Sequence, residues 1–173
     1  MPVTFLRKFS VPVVAALLLG AVDQATKVWT MRTLPLFELR EIVPGFFGLV
    51  HVRNTGVAFS LLANLDSRWV HPLLILATVL AMGAVFAYIA YLPCRGAAPV
   101  GLGLILGGAT GNLIDRARLG YVVDFLDLYW RGHHWPTFNV ADVGISVGVV
   151  LLVIDMVFSP KEPADASRPA ADR

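Results

Sequence analysis

The sequence predicts an all-α membrane protein: four transmembrane helices, with a small β-sheet region outside the bilayer between helices 1 and 2. Of the 173 residues, 57% are hydrophobic and only 15% are charged. A soluble domain usually has about a quarter charged residues, so much of this surface needs an apolar solvent. Four apolar runs also occur, each near the roughly 20 residues that a helix needs to cross a bilayer.

The four runs cover residues 11–29, 70–92, 97–114 and 140–158. The first resembles a secretory signal because basic residues precede it, but it lacks a small-residue cleavage site and continues into polar residues, so we expect a retained span. Buried helices of a soluble protein rarely supply four such runs in so short a chain. We expect residues 1–159 to form one membrane-embedded domain, and the Pro-, Ala- and charge-rich residues 160–173 to form a disordered tail.

Four spans place both termini on one side of the membrane and residues 30–69 and 115–139 on the other. Lys and Arg are not in excess on the terminal side, so the charge count alone does not decide the orientation. The four tryptophans all fall at or beyond the ends of spans on the loop side, as in an aromatic belt at one interface. They are Trp29, Trp69, Trp130 and Trp135.

Two further structural features are predicted, a surface sheet and a glycine-rich helix face. Segments 36–39, 46–52 and 57–62 alternate with Pro, Gly and Asn turns, which indicates short strands of a sheet lying on the membrane surface. In the third run, Gly103, Gly107 and Gly111 share one helical face, which favours close helix packing.

Two aspartates are predicted to meet at one membrane face. Asp124 follows the third span, with Asp127 as its alternative, and Asp142 begins the fourth span. Asn139 is a predicted N-cap and Asp142 the acid three residues later, a pattern resembling a capping box that needs no catalytic role. The same pattern would also hold Asp142 rigidly.

Two carboxylates close together in a medium of low dielectric share one proton, because both cannot ionise cheaply. The ionised acid can activate water while the protonated acid polarises a carbonyl, which is the chemistry of an aspartic peptidase. The helix N-terminus favours charge on Asp142. We therefore predict Asp142 as the ionised partner and Asp124 as the protonated one.

Asp23 and Lys27 are four residues apart and can pair on one helical face. A helix-end salt bridge, in which the lysine extends to the interface, explains them as well as a role in substrate binding does.

Four further polar residues have both a structural and a functional interpretation. Asn54 precedes Thr-Gly, which is ordinary turn chemistry. Asn112 is a polar group within an apolar helix, which usually means a specific partner. Asp115 and Arg116 either belong to the site or mark the membrane boundary.

Three other classes of protein remain as alternatives. A transporter also uses intramembrane acids, but here they gather at one face. A metal hydrolase would use the acids with His133 and His134, yet no metal-binding helix motif is present. A membrane adaptor needs no paired acids.

The motifs together resemble those of the lipoprotein signal peptidase (signal peptidase II) family. They occur in the family's order over residues 23–142, and five in order with four spans are highly specific. The pieces are Asp23-Gln24-Ala25-Thr26-Lys27, Asn54-Thr55-Gly56-Val57-Ala58-Phe59, Gly111-Asn112-Leu113-Ile114-Asp115-Arg116, Val122-Val123-Asp124-Phe125 and Phe138-Asn139-Val140-Ala141-Asp142.

The resemblance implies a bacterial inner-membrane aspartic endopeptidase with both termini cytoplasmic and its site near the periplasmic face. It implies cleavage of diacylglyceryl-modified prolipoproteins just before the lipidated cysteine, with prolipoproteins and membrane lipids as partners. We expect no cofactor, no metal and no nucleic acid. The surface sheet predicted over residues 36–62 is a hypothetical cover for the lipidated cysteine, which deletion of residues 46–62 would test.

The resemblance also assigns roles to individual residues. Asp124 and Asp142 are the implied catalytic pair. The implied positioning and supporting residues are Asp23, Lys27, Asn54, Asn112, Asp115, Arg116 and Asn139.

Overall fold

The computed structural model describes residues 2–56, 67–91 and 96–158. Within these ranges the chain forms four helices and one four-stranded antiparallel sheet. In chain order the elements are α1 (Pro2–Thr33), β1 (Arg40–Val43), β2 (Phe47–Asn54), α2 (Ser67–Tyr91), α3 (Ala98–Leu119), β3 (Val122–Trp130), β4 (His133–His134) and α4 (Val140–Phe158).

Three of these helices are long and apolar enough to cross a membrane: α1 over residues 8–33, α2 over 69–91 and α4 over 140–158. The third predicted span lies in α3, which extends beyond residue 114 to Leu119 and includes three charged residues near its end. Helix α3 is not among these three helices, and its crossing of the membrane stays a prediction. The predicted tail at 160–173 lies outside the described residues.

Helix α3 packs against α1, α2 and α4 at the centre of the helical bundle. A Cβ atom at Gly103 would lie 2.5 Å from the carbonyl oxygen of Pro12, and one at Gly107 would lie 2.7 Å from that of Ala16. Gly111 of α3 faces Asp23, which also lies on α1. The prediction of a close-packed glycine face is therefore confirmed, because any larger side chain there would push the two helices apart.

The sheet differs from the prediction in where its strands come from. Its order is β1-β2-β3-β4, so β1 and β2 lie between the first two helices while β3 and β4 lie between the last two. The predicted placement between helices 1 and 2 was therefore wrong for half of the sheet. The pairing of β2 with β3 explains the difference. The backbone N–H and C=O groups of each strand need hydrogen-bond partners, and these two strands, from the two different helix connections, supply them to each other.

The predicted strand segments have three different outcomes. Segment 46–52 is confirmed as a strand, since β2 covers nearly all of it. Segment 36–39 was wrong as a strand: it precedes β1, and Leu36 forms only an isolated bridge with His51. Segment 57–62 lies outside the described residues, as does the corresponding part of the hypothetical cover.

Candidate active site

Asp124 and Asp142 come to the site on different elements. Asp124 lies within β3 and is only 1% exposed, whereas Asp142 lies in the first turn of α4. The backbone N–H of Asp142 donates to Oδ1 of Asn139 at 3.1 Å, and the backbone N–H of Asn139 donates to Oδ2 of Asp142 at 3.2 Å. This reciprocal pattern is the predicted capping arrangement, and it fixes the Asp142 side chain at the helix N-terminus.

Asn139 also joins the two aspartates. Its side-chain amide donates to Oδ1 of Asp124 at 2.7 Å, while its other groups make the capping bonds with Asp142. The second oxygen of Asp124 accepts a 2.9 Å hydrogen bond from the amide of Asn54, which lies on the neighbouring strand β2. The structure therefore brings the two predicted acids and both of these predicted asparagines into one cluster.

The environment of Asp124 shifts its equilibrium toward the protonated form. Burial raises the pKa of Asp124 from its ordinary value of 3.8 to about 6, and the negative charge of Asp142 contributes to the rise. The hydrogen bonds from Asn54 and Asn139 and the charge of Lys27 lower the pKa, but burial outweighs them. The influence of Asp142 means that the two carboxyl groups interact electrostatically.

Asn112 connects Asp142 to a buried cation. Its Nδ2 group donates to Oδ1 of Asp142 at 2.9 Å, and its Oδ1 atom accepts from Nζ of Lys27 at 2.9 Å. The same Oδ1 atom accepts from the amide of Asn139 at 3.2 Å. Asn112 is therefore the specific partner expected for a polar group within an apolar helix, and its partners come from α1 and α4.

Lys27 is 1% exposed, so its side chain does not extend to the membrane interface as the simpler interpretation of Asp23 and Lys27 proposed. Its ammonium group pairs with Asp23 at 2.9 Å and with Asp115 at 3.0 Å. Both acids are also buried. A buried cation between two buried carboxylates is stable only where hydrogen bonds satisfy the remaining oxygens.

The same two carboxylates also hold the backbone beside the two candidate catalytic acids. Oδ1 of Asp23 accepts a 2.9 Å hydrogen bond from the N–H of Ala141, the residue before Asp142. Oδ2 of Asp115 accepts a 3.1 Å hydrogen bond from the N–H of Val123, the residue before Asp124. Asp115 therefore lies inside the site cluster.

Gln24 belongs to the same cluster and was not among the predicted site residues. Its amide donates to Oδ1 of Asp115 at 3.0 Å and to the carbonyl of Gly111 at 3.2 Å, and it lies 3.3 Å from Asp23. The sequence did contain a signal for Gln24, because it is a polar residue next to Asp23 in an apolar helix. A polar side chain in such a helix usually has a specific partner.

Arg116 is half-buried at the edge of the cluster. Its guanidinium group lies 3.4 Å from the carbonyl oxygen of Asn112 and interacts electrostatically with Asp142, Asp124 and Asp115. It therefore supplies positive charge to a site that contains several acids.

Asp127, the alternative to Asp124, belongs to a different group of side chains. Its Oδ2 atom lies 2.8 Å from Nδ1 of His134, whose ring stacks on Tyr129. Tyr129 in turn donates a 2.7 Å hydrogen bond to Glu41 on β1. Because Asp124 and Asp127 are an odd number of residues apart on β3, they point to opposite faces of the strand.

A cavity of about 540 Å³ lies beside Asp142, between α4 and the connection that precedes it. Its lining is mostly apolar, and Asp142 supplies a carboxyl group to it. The lining residues are Leu128, Trp135, Phe138, Asp142, Val143, Ser146 and Val147. Such a cavity suits an apolar ligand that must present one polar bond to an acid.

Comparisons with known proteins identify the family of this chain. The family described as signal peptidase (SPase) II matches residues 15–158. The lipoprotein signal peptidase of Geobacter metallireducens is 51% identical over 79% of this chain and 83% of its own length. That of Geobacter sulfurreducens is 45% identical over 91% of this chain and 96% of its own.

A solved bacterial membrane enzyme, determined by the in meso method at 1.9 Å resolution, superposes with a TM-score of 0.75 at 27% identity. The match covers 86% of this chain and 94% of that one. The fold and the site define a membrane protease. The chain belongs to the signal peptidase II family.

Proposed function

We propose that this protein removes the signal peptide from diacylglyceryl-modified bacterial prolipoproteins by cleaving just before the lipidated cysteine, with Asp124 and Asp142 as the catalytic pair. Membership of the signal peptidase II family supports the substrate class and the reaction. The observation on which the catalytic assignment depends is the bridge through Asn139, which hydrogen-bonds to both acids.

In the proposed mechanism Asp142 is ionised at rest and Asp124 holds a proton. Three features favour charge on Asp142: the N-terminus of α4 and the hydrogen bonds donated by Asn112 and by the backbone of Asn139. The pKa of Asp124, raised to about 6, makes this group easier to protonate than an ordinary aspartate.

The chemical steps follow from these protonation states. Asp142 takes a proton from water as the water oxygen forms a bond to the scissile carbonyl carbon, and Asp124 gives its proton to the carbonyl oxygen. When the tetrahedral intermediate collapses, the carbonyl oxygen returns its proton to Asp124 and the C–N bond breaks. Asp142 then gives the proton that it took from water to the leaving amine nitrogen.

The supporting residues have distinct proposed roles. Asn54 and Asn139 hold the two oxygens of Asp124, and Asn112 holds Asp142. The remaining four residues fix the backbone and charge around the pair: Asp23, Lys27, Asp115 and Arg116.

The proposed membrane arrangement is that of a multi-pass inner-membrane protein with both termini cytoplasmic and the site near the periplasmic face. In it all four helices cross the bilayer, residues 1–159 form one domain and residues 160–173 form a cytoplasmic tail. The sheet then lies at the periplasmic interface, where membrane lipids contact its aromatic side chains. Exposed tryptophans at Trp130 and Trp135 support that depth.

The test is cleavage of a synthetic diacylglyceryl-modified precursor by the purified full-length protein, with the released peptide identified by mass. Asp124→Asn and Asp142→Asn should each reduce the rate by at least about a hundredfold, because each removes a proton-transfer group. Asp127→Asn is the matched control, since that acid lies on the other face of β3, and it should retain cleavage. Loss of activity only in Asp127→Asn would refute the assignment, and no cleavage by the unaltered protein would refute the function.

A further inference from the structure

Helix α4 has three polar side chains: Asp142, Ser146 and Asp155. Two of them have partners in the structure. Asp142 accepts from Asn112, and Oδ1 of Asp155 accepts a 3.0 Å hydrogen bond from the N–H of Ala97. Ser146 is exposed and lines the same cavity as Asp142.

The Ser146 hydroxyl differs from the hydroxyls of three threonines in the other described helices, although the buried hydroxyl of Thr30 also lacks a partner there. Thr26, Thr33 and Thr78 each donate to the backbone carbonyl four residues earlier, at 2.8 to 2.9 Å. In the part of the chain that the structure describes, the Ser146 hydroxyl has no hydrogen-bond partner. The other residues on this side of α4, Val143 and Val147, are apolar. An unsatisfied hydroxyl in such surroundings is unfavourable at membrane depth.

The position of Ser146 relative to Asp142 indicates what could satisfy it. Residues four apart lie on one helical face, so Ser146 is just over one turn, about 6 Å, further from the sheet than Asp142. If the scissile bond lies at Asp142, the preceding residues of the substrate run deeper into the bilayer past Ser146. They form the last turn of the signal helix, whose carbonyl oxygens have no partner within that helix.

We propose that the Ser146 hydroxyl donates a hydrogen bond to a backbone carbonyl in the last turn of the substrate's signal helix. This inference rests on the proposed function, and it makes Ser146 a substrate-binding residue that sets the register of the signal peptide against the catalytic pair. The bond replaces two unsatisfied groups in an apolar medium with one satisfied pair, which favours the bound state.

Three variants separate the donor from the size of the side chain. Ser146→Ala removes the hydroxyl, Ser146→Cys keeps the approximate size with a weak donor, and Ser146→Thr keeps the hydroxyl. For the lipidated precursor we expect Ser146→Ala and Ser146→Cys to raise KM about fivefold, the value of one net hydrogen bond, with kcat changed less than twofold. Ser146→Thr should keep KM near that of the unaltered protein.

A substrate modification tests the same bond from the other side. Precursors are made with a thioamide in place of one backbone amide, two, three or four residues before the lipidated cysteine, because a thiocarbonyl is a weaker acceptor. One of these positions should raise KM about fivefold for the unaltered protein and less than twofold for Ser146→Ala. Equal sensitivity of both proteins at every position would overturn the inference.

The outcomes distinguish the two proposals. If the unaltered protein does not cleave the precursor, the proposed function fails. If it cleaves, but Ser146→Ala and Ser146→Cys leave KM within twofold, then the role of Ser146 alone is refuted.

Discussion

Lys27 donates a 2.9 Å hydrogen bond to Oδ1 of Asn112, and this bond determines which end of the Asn112 amide faces the site. Because Oδ1 is held by the ammonium group, Nδ2 must point to Asp142, where it donates at 2.9 Å. A buried cation on α1 thereby keeps a hydrogen-bond donor directed at a candidate catalytic acid on α4.

The first prediction concerns removal of that cation. Lys27→Met should lower kcat for the lipidated precursor by about tenfold or more, with a smaller change in KM, since the amide of Asn112 is no longer oriented. It should also lower the free energy of unfolding by about 3–5 kcal/mol, because Asp23 and Asp115 are left buried without their partner. Steady-state kinetics and thermal unfolding in detergent measure the two effects.

Lys27→Arg is the control, because it keeps a charged donor and should recover part of both losses. A folded Lys27→Met protein with unchanged kcat would contradict the orienting role, whatever its stability.

The second prediction uses the hydrogen bond from Asn54 to Asp124. This bond lowers the pKa of Asp124, so Asn54→Ala should raise that pKa above its value of about 6. If Asp124 is the protonated partner, its deprotonation ends activity on the alkaline side. The alkaline limb of the pH profile of kcat/KM should therefore move to higher pH.

The pH profile of Asp127→Asn serves as the reference for this measurement, since Asp127 lies outside the cluster and both limbs should stay in place. Movement of the acidic limb in Asn54→Ala would instead assign the role of base to Asp124.

The third prediction concerns stability against pH. A carboxyl group whose pKa rises on folding binds its proton more tightly in the folded state, so its contribution is most favourable below pH 3.8 and is lost as pH rises to about 6. Across that window Asp124 should reduce the free energy of unfolding by up to about 3 kcal/mol. As the pH rises through this window, the unaltered protein should therefore lose stability relative to Asp124→Asn, whose amide does not titrate. At pH 7 this change favours the variant. A difference that does not change with pH would rule this out.

The sequence predicted the helices and the site better than it predicted the sheet. Helices α2 and α4 follow apolar runs long enough to identify, and the acids and asparagines are recognisable from local motifs. The pairing of β2 with β3, which joins residues 68 to 81 apart along the chain, was not predicted. Local patterns contain no information on such a partner, and the same holds for Gln24, whose acceptor Asp115 lies on another helix.

The fourth prediction tests the close contact between α1 and α3. In Gly107→Ala the new Cβ would lie 2.7 Å from the carbonyl oxygen of Ala16, a backbone atom that cannot move without shifting the helix. We expect a loss of about 1–3 kcal/mol in unfolding free energy, the usual effect of overpacking. Gly83→Ala is the matched control, because nothing in the described structure lies within 4 Å of its Cβ position. Equal stability of the two variants would contradict tight packing at Gly107.

The fifth prediction concerns the helix ends opposite the site. Asp155 of α4 accepts a 3.0 Å hydrogen bond from the N–H of Ala97, which precedes α3 and has no capping side chain of its own. Asp155→Ala should therefore lower the free energy of unfolding by about 1 kcal/mol, as loss of a helix cap does, while kcat stays within twofold because Asp142 lies nearly four turns away along α4. Asp155→Asn retains an acceptor oxygen and should lose less stability than Asp155→Ala. Thermal unfolding of both variants decides the matter: identical losses would mean that the charge of Asp155, rather than its hydrogen bond to Ala97, stabilises the junction of α3 and α4.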